Sequence, residues 1–188
     1  MYYLLEKDSF AEPKAFRTRL ITEDRAYEPS DFIIGRQLPT REGPPLEVEL
    51  WQRAPGPGGF AELFLDSVPL FRDDFLTALR EAGVSNLQEF PVILRSEDRT
   101  LEYTNYKAVN ILGLVAAADM KKSEFTDVTG TGMIAVAFRQ LVINEQAAQN
   151  LNMFRLAEAI ASIVVHQRVK EFLDTKNFKY LHWRALKG

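Results

Sequence analysis

Two imidazoles, His166 and His182, are the only ones in this chain of 188 residues. A metal-binding or acid–base role would require partners at a defined spacing. Neither histidine stands in an HExxH pattern or four residues from the other, so neither is assigned ligand or catalytic work. Asp73 and Asp74 are sequence neighbours. On a helix, adjacent side chains diverge by about 100°, so this pair complements a helix dipole better than it shares a proton. Thr129-Gly130-Thr131-Gly132 has the glycines of a phosphate cradle without the GxxxxGK[ST] or GxGxxG spacing, and it reads as a turn. No GxSxG or Ser-x-x-Lys motif is present. The chain contains no cysteine, which removes disulfides, thiolate zinc sites, iron–sulfur clusters and cysteine nucleophiles. The residues therefore name no catalytic site, no metal ligand and no cofactor.

Charge carries the remaining signal. Lys and Arg number 23 against 26 Asp and Glu, a net −3 that weighs against nucleic acid or an anionic membrane as direct partner. The distribution is uneven. Residues 59–90 hold six carboxylates against Arg72 and Arg80, and residues 165–188 hold six cations against Glu171 and Asp174, giving −4 and +4. Asp66, Asp73, Asp74 and Glu81 are the candidate contacts for a basic partner. Two solvated faces would explain the same charges.

The elements that must position these groups follow from periodicity. Tyr2 to Leu5 and Arg17 to Ile21 are short strand candidates, while Asp31 to Gly35 is apolar for three residues and stops at a glycine. Leu46, Val48 and Leu50 alternate with Glu47 and Glu49, the period of a half-buried strand. Ala54 to Gly59 (APGPGG) ends that strand and reads as a linker. Phe60 to Leu65 reads as a strand. Pro69 is suited to a first helical turn, and Phe71, Phe75, Leu79 and Ala82 then recur at helical spacing up to Gly83 as the C-terminal stop. Phe90 to Leu94 is a short strand, and Glu102 to Ala117 is one long strand or a bent pair, irregular at Asn110 and Gly113. Met133 to Ile143 has strand composition, and another strand begins at Met153. Val169, Phe172 and Leu173 mark a second helix that stops at Asn177, before a closing aromatic strand of Phe178, Tyr180 and Trp183.

This grammar predicts an α+β fold with a mixed or mainly antiparallel sheet, two principal helices near 70–82 and 166–176, and an N-terminal β layer. Residues 1–188 are expected to form a single domain, with 1–58 as the layer and 60–186 as the core. The segments around the two helices echo each other: turn or strand, helix, left-handed stop, strand. Residue identity between them is too low to indicate duplication, and the ordinary grammar of α+β chains explains the echo. The first ten residues lack a basic and an apolar signal region, and the longest apolar stretch, eight residues from Ile111 to Ala118, is far short of the ~20 that span a bilayer. A soluble protein of the cytoplasm is expected.

From Phe60 onward the succession looks like a known family. The matching pieces are Asn86-Leu87-Gln88-Glu89-Phe90-Pro91-Val92, Val109-Asn110-Ile111 with Gly113, and Phe154-Arg155-Leu156-Ala157-Glu158. They resemble the bacterial immunity proteins first described in myxobacteria and encoded beside polymorphic toxins, over about residues 60–186. The resemblance implies a non-catalytic protein that binds and neutralises a cognate toxin in the cytoplasm. A basic toxin such as a nuclease would suit the acidic segment. The family supplies no catalytic residues. No membrane or nucleic acid is expected as a direct partner, and a second copy of the chain is left open. The alternative from the residues alone is a small-molecule-binding protein or enzyme, with carboxylates in a cleft between the N-terminal layer and the core.

Overall fold

Apolar residues at every second position build the strands and those at every third or fourth build two helices, each with one buried face. The computed structural model describes residues 1–7, 17–21, 27–40, 42–51, 61–66, 68–127 and 136–187. The linker at 54–59 and the Thr129 to Gly132 turn lie outside them. In chain order the elements are β1 (Tyr2–Lys7), β2 (Arg17–Ile21), a 3₁₀ turn (Pro29–Ile33), β3 (Leu46–Trp51), β4 (Leu63–Phe64), β5 (Leu70–Arg72), α1 (Asp73–Glu81), β6 (Leu87–Ser96), β7 (Glu102–Tyr103) and β8 (Tyr106–Ile111). There follow β9 (Leu114–Val115), β10 (Glu124–Asp127), β11 (Val136–Gln140), α2 (Glu145–Ala148), β12 (Met153–Leu156), β13 (Ala159–His166), α3 (Gln167–Asp174) and β14 (Leu181–Ala185). The fold is α+β with mostly antiparallel sheets, and no helix among the described residues is long and apolar enough to cross a membrane.

One sheet runs β2-β3-β6-β8-β5-β4, with β7 beside β6; another runs β14-β1-β13-β12-β9; β10 and β11 form a separate pair. The N-terminal strands divide between the two large sheets: β1 inserts between β13 and β14, while β3 joins β6 in parallel. Pro69 does not open the helix. It precedes β5 and gives its carbonyl to the Val109 N–H, because three more residues pair with β8 before α1 begins. The 102–117 stretch breaks into β7, β8 and β9; Gly113 takes φ +97° at the last break, while Asn110 stays within β8.

The two sheets enclose a shared core. Phe75, Leu76 and Leu79 of α1 and Val169 and Leu173 of α3 pack there against Leu63, Phe71, Val109, Leu5, Met153 and Val165. The outer face of the larger sheet is covered by Tyr27, Phe32 and Leu38, that of the other by Leu141, Ile143 and Ala148.

The echo in the sequence is a structural repeat. In sheet order β6-β8-β5-β4 matches β14-β1-β13-β12, every neighbour being antiparallel. Both helices follow their strand without a loop, from N-cap residues of nearly identical backbone: Arg72 at φ −71°, ψ 147° and His166 at φ −70°, ψ 146°. Each N-cap pairs across the sheet with a tyrosine, Arg72 with Tyr106 and His166 with Tyr2. The Arg72 N–H donates to the Glu62 carbonyl and the His166 N–H to the Asn152 carbonyl, both at 2.9 Å. One residue further, Asp73 N–H meets the Asn105 carbonyl at 2.9 Å and Gln167 N–H the Met1 carbonyl at 3.0 Å. Both connections after the helices turn through a left-handed residue, Gly83 at φ +86° and Asn177 at φ +56°. The counterpart of β8, which pairs with β6 in the first unit, is supplied to the second by β1, from the other end of the sequence.

Candidate functional site

The two units cross-link through the residues preceding their hairpins. Glu62, 3% exposed, accepts the backbone N–H groups of Lys179 and Tyr180 after α3, at 3.1 and 3.0 Å. Asn152 donates in the opposite sense to the Gly83 carbonyl after α1, at 2.6 Å. Between the strands that flank this junction, one seam is closed. The Asn86 amide donates to the Leu112 and Met153 carbonyls at 2.9 and 3.0 Å, tying the end of β8 to β12.

The corresponding seam, between β1 and the segment after β4, is open. A groove of about 480 Å³ runs there along Leu4, Leu5 and Glu6 on one side and Leu65 and Asp66 on the other. It adjoins a cavity of about 270 Å³ with which it shares Leu65, Asp66, Ala161 and Ile163. Pro29, Ser30 and Ile33 roof that cavity from the 3₁₀ turn, and Pro69 and Arg155 complete its wall.

The roof is held from both ends. Phe32 is buried edge-on against Tyr27 and Phe90, with ring centroids 5.9 and 5.4 Å away. Downstream, the Asn110 amide donates to the Arg36 carbonyl at 2.7 Å, and Gln88 exchanges two hydrogen bonds with the Leu38 backbone at 2.7 and 2.9 Å. Gly35, at φ +69°, lies so close to Gly113 that a Cβ would meet the Gly113 carbonyl carbon at 2.9 Å. A side chain there would lift the roof.

Arg155 is the unusual member of the wall. Strand alternation puts Met153 and Arg155 on the inner face of β12 and Phe154 and Leu156 on the outer one. The residue is 1% exposed, and Nη1 donates to the Ile160 carbonyl at 2.9 Å. Nε and Nη2 have no hydrogen-bond partner among the described residues. Burial draws its pKa down to about 10, so the group still carries its charge at neutral pH. At the matching position in the first unit, two residues beyond Leu63, stands Leu65.

All four acidic candidates are exposed, but they do not form one unpaired patch. Asp73 pairs with Lys107 at 3.1 Å, Asp74 with Arg72 at 2.6 Å and Glu81 with Lys176 at 2.8 Å. The Arg72 hydrogen bond holds the Asp74 carboxyl below its ordinary value. Lys107 of β8 and Lys176, just past α3, thus offset part of the −4 of the segment. Asp66 stands apart at the mouth of the groove, where its carboxylate accepts the Thr18 N–H at 3.3 Å.

The histidines are separated as well. His166 caps α3, its Nδ1 accepting the Arg168 N–H at 3.3 Å, and its ring meets Tyr2 edge-on at 5.0 Å. His182 pairs in register with Glu6 on β1. Among the described residues no three His, Cys, Asp or Glu side chains come together as a metal site.

In the sequence Arg155 stands only as part of the Phe154–Glu158 match and is given no role of its own. Its signal was present: a single cation in Met153-Phe154-Arg155-Leu156, a strand buried at all four positions. Compared with protein-family models and with curated proteins, the chain matches none.

Proposed function

We propose that the protein is an immunity protein that binds and neutralises a cognate toxin without catalysis. The reading comes from the resemblance over residues 60–186, and one structural observation supports it. Helix α1 is fixed in the core by Phe75 and Leu79 and turns outward the carboxylates Asp73, Asp74 and Glu81, each beside a cation. A rigid helix face with paired charges can exchange those pairs for a partner's charges without moving its backbone. The test is co-expression with the polypeptide encoded beside it. That polypeptide should arrest growth alone, and growth should return when the two form a complex. Continued arrest, with this protein folded and abundant, would reject the reading.

A second reading, a small-molecule-binding protein, is favoured by the groove between the Pro29–Ile33 roof and the two hairpins, and in particular by the buried charge in its wall.

A further inference from the structure

Strand β14 ends its sheet, and among the described residues no strand pairs with its outer edge. The direction of its backbone groups follows from the ladder to β1. The Leu186 N–H donates to the Tyr2 carbonyl at 3.1 Å, so by antiparallel alternation His182 and Arg184 also bond towards β1. The N–H and C=O groups of Leu181, Trp183 and Ala185 therefore point away from the sheet. The next outward carbonyl, that of Lys187, is taken. It accepts the Ile143 N–H at 3.1 Å, where Val142 runs beside Lys187 in parallel.

The first unit closes the same edge. Pro91 on β6 matches Ala185 on β14, since they pair with Lys107 and Tyr3, each one residue past the tyrosine opposite the helix N-cap. Pro91 has no N–H to offer, and from Val92 onward β3 covers the edge in parallel with Leu46 to Leu50. In the second unit the parallel cover is Val142 alone, and Ala185 keeps its N–H. An edge left unpaired, with no proline to block it, is a template for an added strand.

Charge selects what that strand is. Lys179 and Lys187 flank β14, exposed and in no ion pair among the described residues, while Arg184 is bound to Glu6 at 2.9 Å. The three outward residues are centred on Trp183. A second copy would pair about that residue and bring Lys179 of each copy opposite Lys187 of the other, where like charges repel. An acidic segment would meet both lysines favourably. Leu181 and Trp183 are half-buried against the shared core, so apolar side chains beside them would extend it. His182 and Arg184 lie on the opposite face, which suits polar residues between.

We infer that the free edge of β14 binds an extended segment of a partner protein, paired to the backbone of Leu181, Trp183 and Ala185, alternately apolar, with a carboxylate at each end for Lys179 and Lys187. This rests on the protein-binding reading, but its test does not use the toxin, so either can fail while the other stands.

The experiment titrates the intact protein with the capped peptide Asp-Val-Thr-Val-Thr-Val-Asp, which reads the same in both chain directions, and with its counterpart ending in Lys. Calorimetry measures affinity, and amide exchange by NMR locates the contact. The acidic peptide should bind saturably at one site, more weakly as salt rises, and at least about threefold tighter than the Lys-ended one. Saturation should slow exchange of the Leu181, Trp183 and Ala185 amides by about tenfold or more. Ala185→Pro copies Pro91 of the first unit and removes an outward N–H, and it should weaken the peptide by about tenfold or more. Should that variant not fold, the surface pair Lys179→Glu with Lys187→Glu takes its place and should reverse the preference between the peptides. Equal binding of the two peptides would overturn the acidic occupant. Absence of binding by both, or unslowed amides at saturation, would overturn the edge as the site. Self-association that Ala185→Pro abolishes would assign the edge to a second copy instead.

Discussion

The two units of this fold have the same backbone plan and differ in where they keep charge. In the first, the residues around the helix start form an ionic network, with Arg72 bound to the exposed Asp74 at 2.6 Å and to the buried Glu62 at 3.5 Å. In the second, the matching positions are Asn152, His166 and Arg168, which hydrogen-bond among themselves and to backbone. On the inner face the contrast reverses: Leu65 is apolar and Arg155 is a buried cation. The hydrogen bonds that define the plan run from backbone to backbone, so side chains at the junction can diverge without disturbing it. The divergence gathers at the junction, where one seam is sealed by Asn86 and the other opens on Arg155.

The largest effect expected from breaking this comparison lies in the shared core. Phe75 and Val169 occupy the same helical position in the two units and are both fully buried. Phe75 fills more space, meeting Phe71 and Phe178 with ring centroids 5.2 and 5.4 Å away. Phe75→Ala should destabilise the protein by about 3–5 kcal/mol, and Val169→Ala by about 2 kcal/mol. Urea unfolding with an unchanged m-value measures both. Equal losses would mean that the units contribute alike to the core.

Much of this plan was legible beforehand. The three-and-four spacing of Phe75 and Leu79, and of Val169, Phe172 and Leu173, marked both helices, although Phe71, at the same spacing, lies on β5; Gly83 and Asn177 marked their ends. The alternation at Leu46, Val48 and Leu50 marked β3. The repeat was visible as a pattern and read as common grammar, because the evidence for it lies in pairing. Nothing local tells β1 that it will sit between β13 and β14, some 160 residues away. The site was less legible still. Asp73, Asp74 and Glu81 were visible as carboxylates, but their cations Lys107 and Lys176 arrive from elsewhere in the chain, and the groove is assembled from four separate segments.

A second change sharpens the contrast on the inner face. Arg155→Leu copies the first unit into the second at the position of Leu65. Replacing a buried charge by a well-packed apolar residue is often neutral or stabilising, by about 1–4 kcal/mol. The substitution should therefore leave the protein at least as stable in thermal or urea unfolding. A clear loss would show that the bond from Nη1 to the Ile160 carbonyl holds the β12–β13 hairpin together, and that Arg155 has a structural reason to be there.

The smallest effect separates the two helix starts by pH. Burial, then the nearby Arg168 and the terminal amine, hold the His166 pKa below 6.5, outweighing Glu145 and Glu171. The cap agrees in direction, since Nδ1 accepts the Arg168 N–H and a protonated ring could not. A depressed folded-state pKa means that the unfolded chain binds the proton more readily. The contribution of His166 is therefore complete above pH 6.5 and is lost as pH falls through the lower folded value. In the first unit the depressed group near the helix start is Asp74. Its contribution is complete above pH 3.8 and is lost only below that. Between about pH 7 and 5 the second unit alone should lose stability on this account, by up to about 1 kcal/mol. His166→Asn, which keeps a cap and removes the titration, should flatten that part of the curve, while Asp74→Asn should alter only its acid end. If His166→Asn leaves the slope between pH 7 and 5 as it was, the neutral imidazole is not what holds the start of α3.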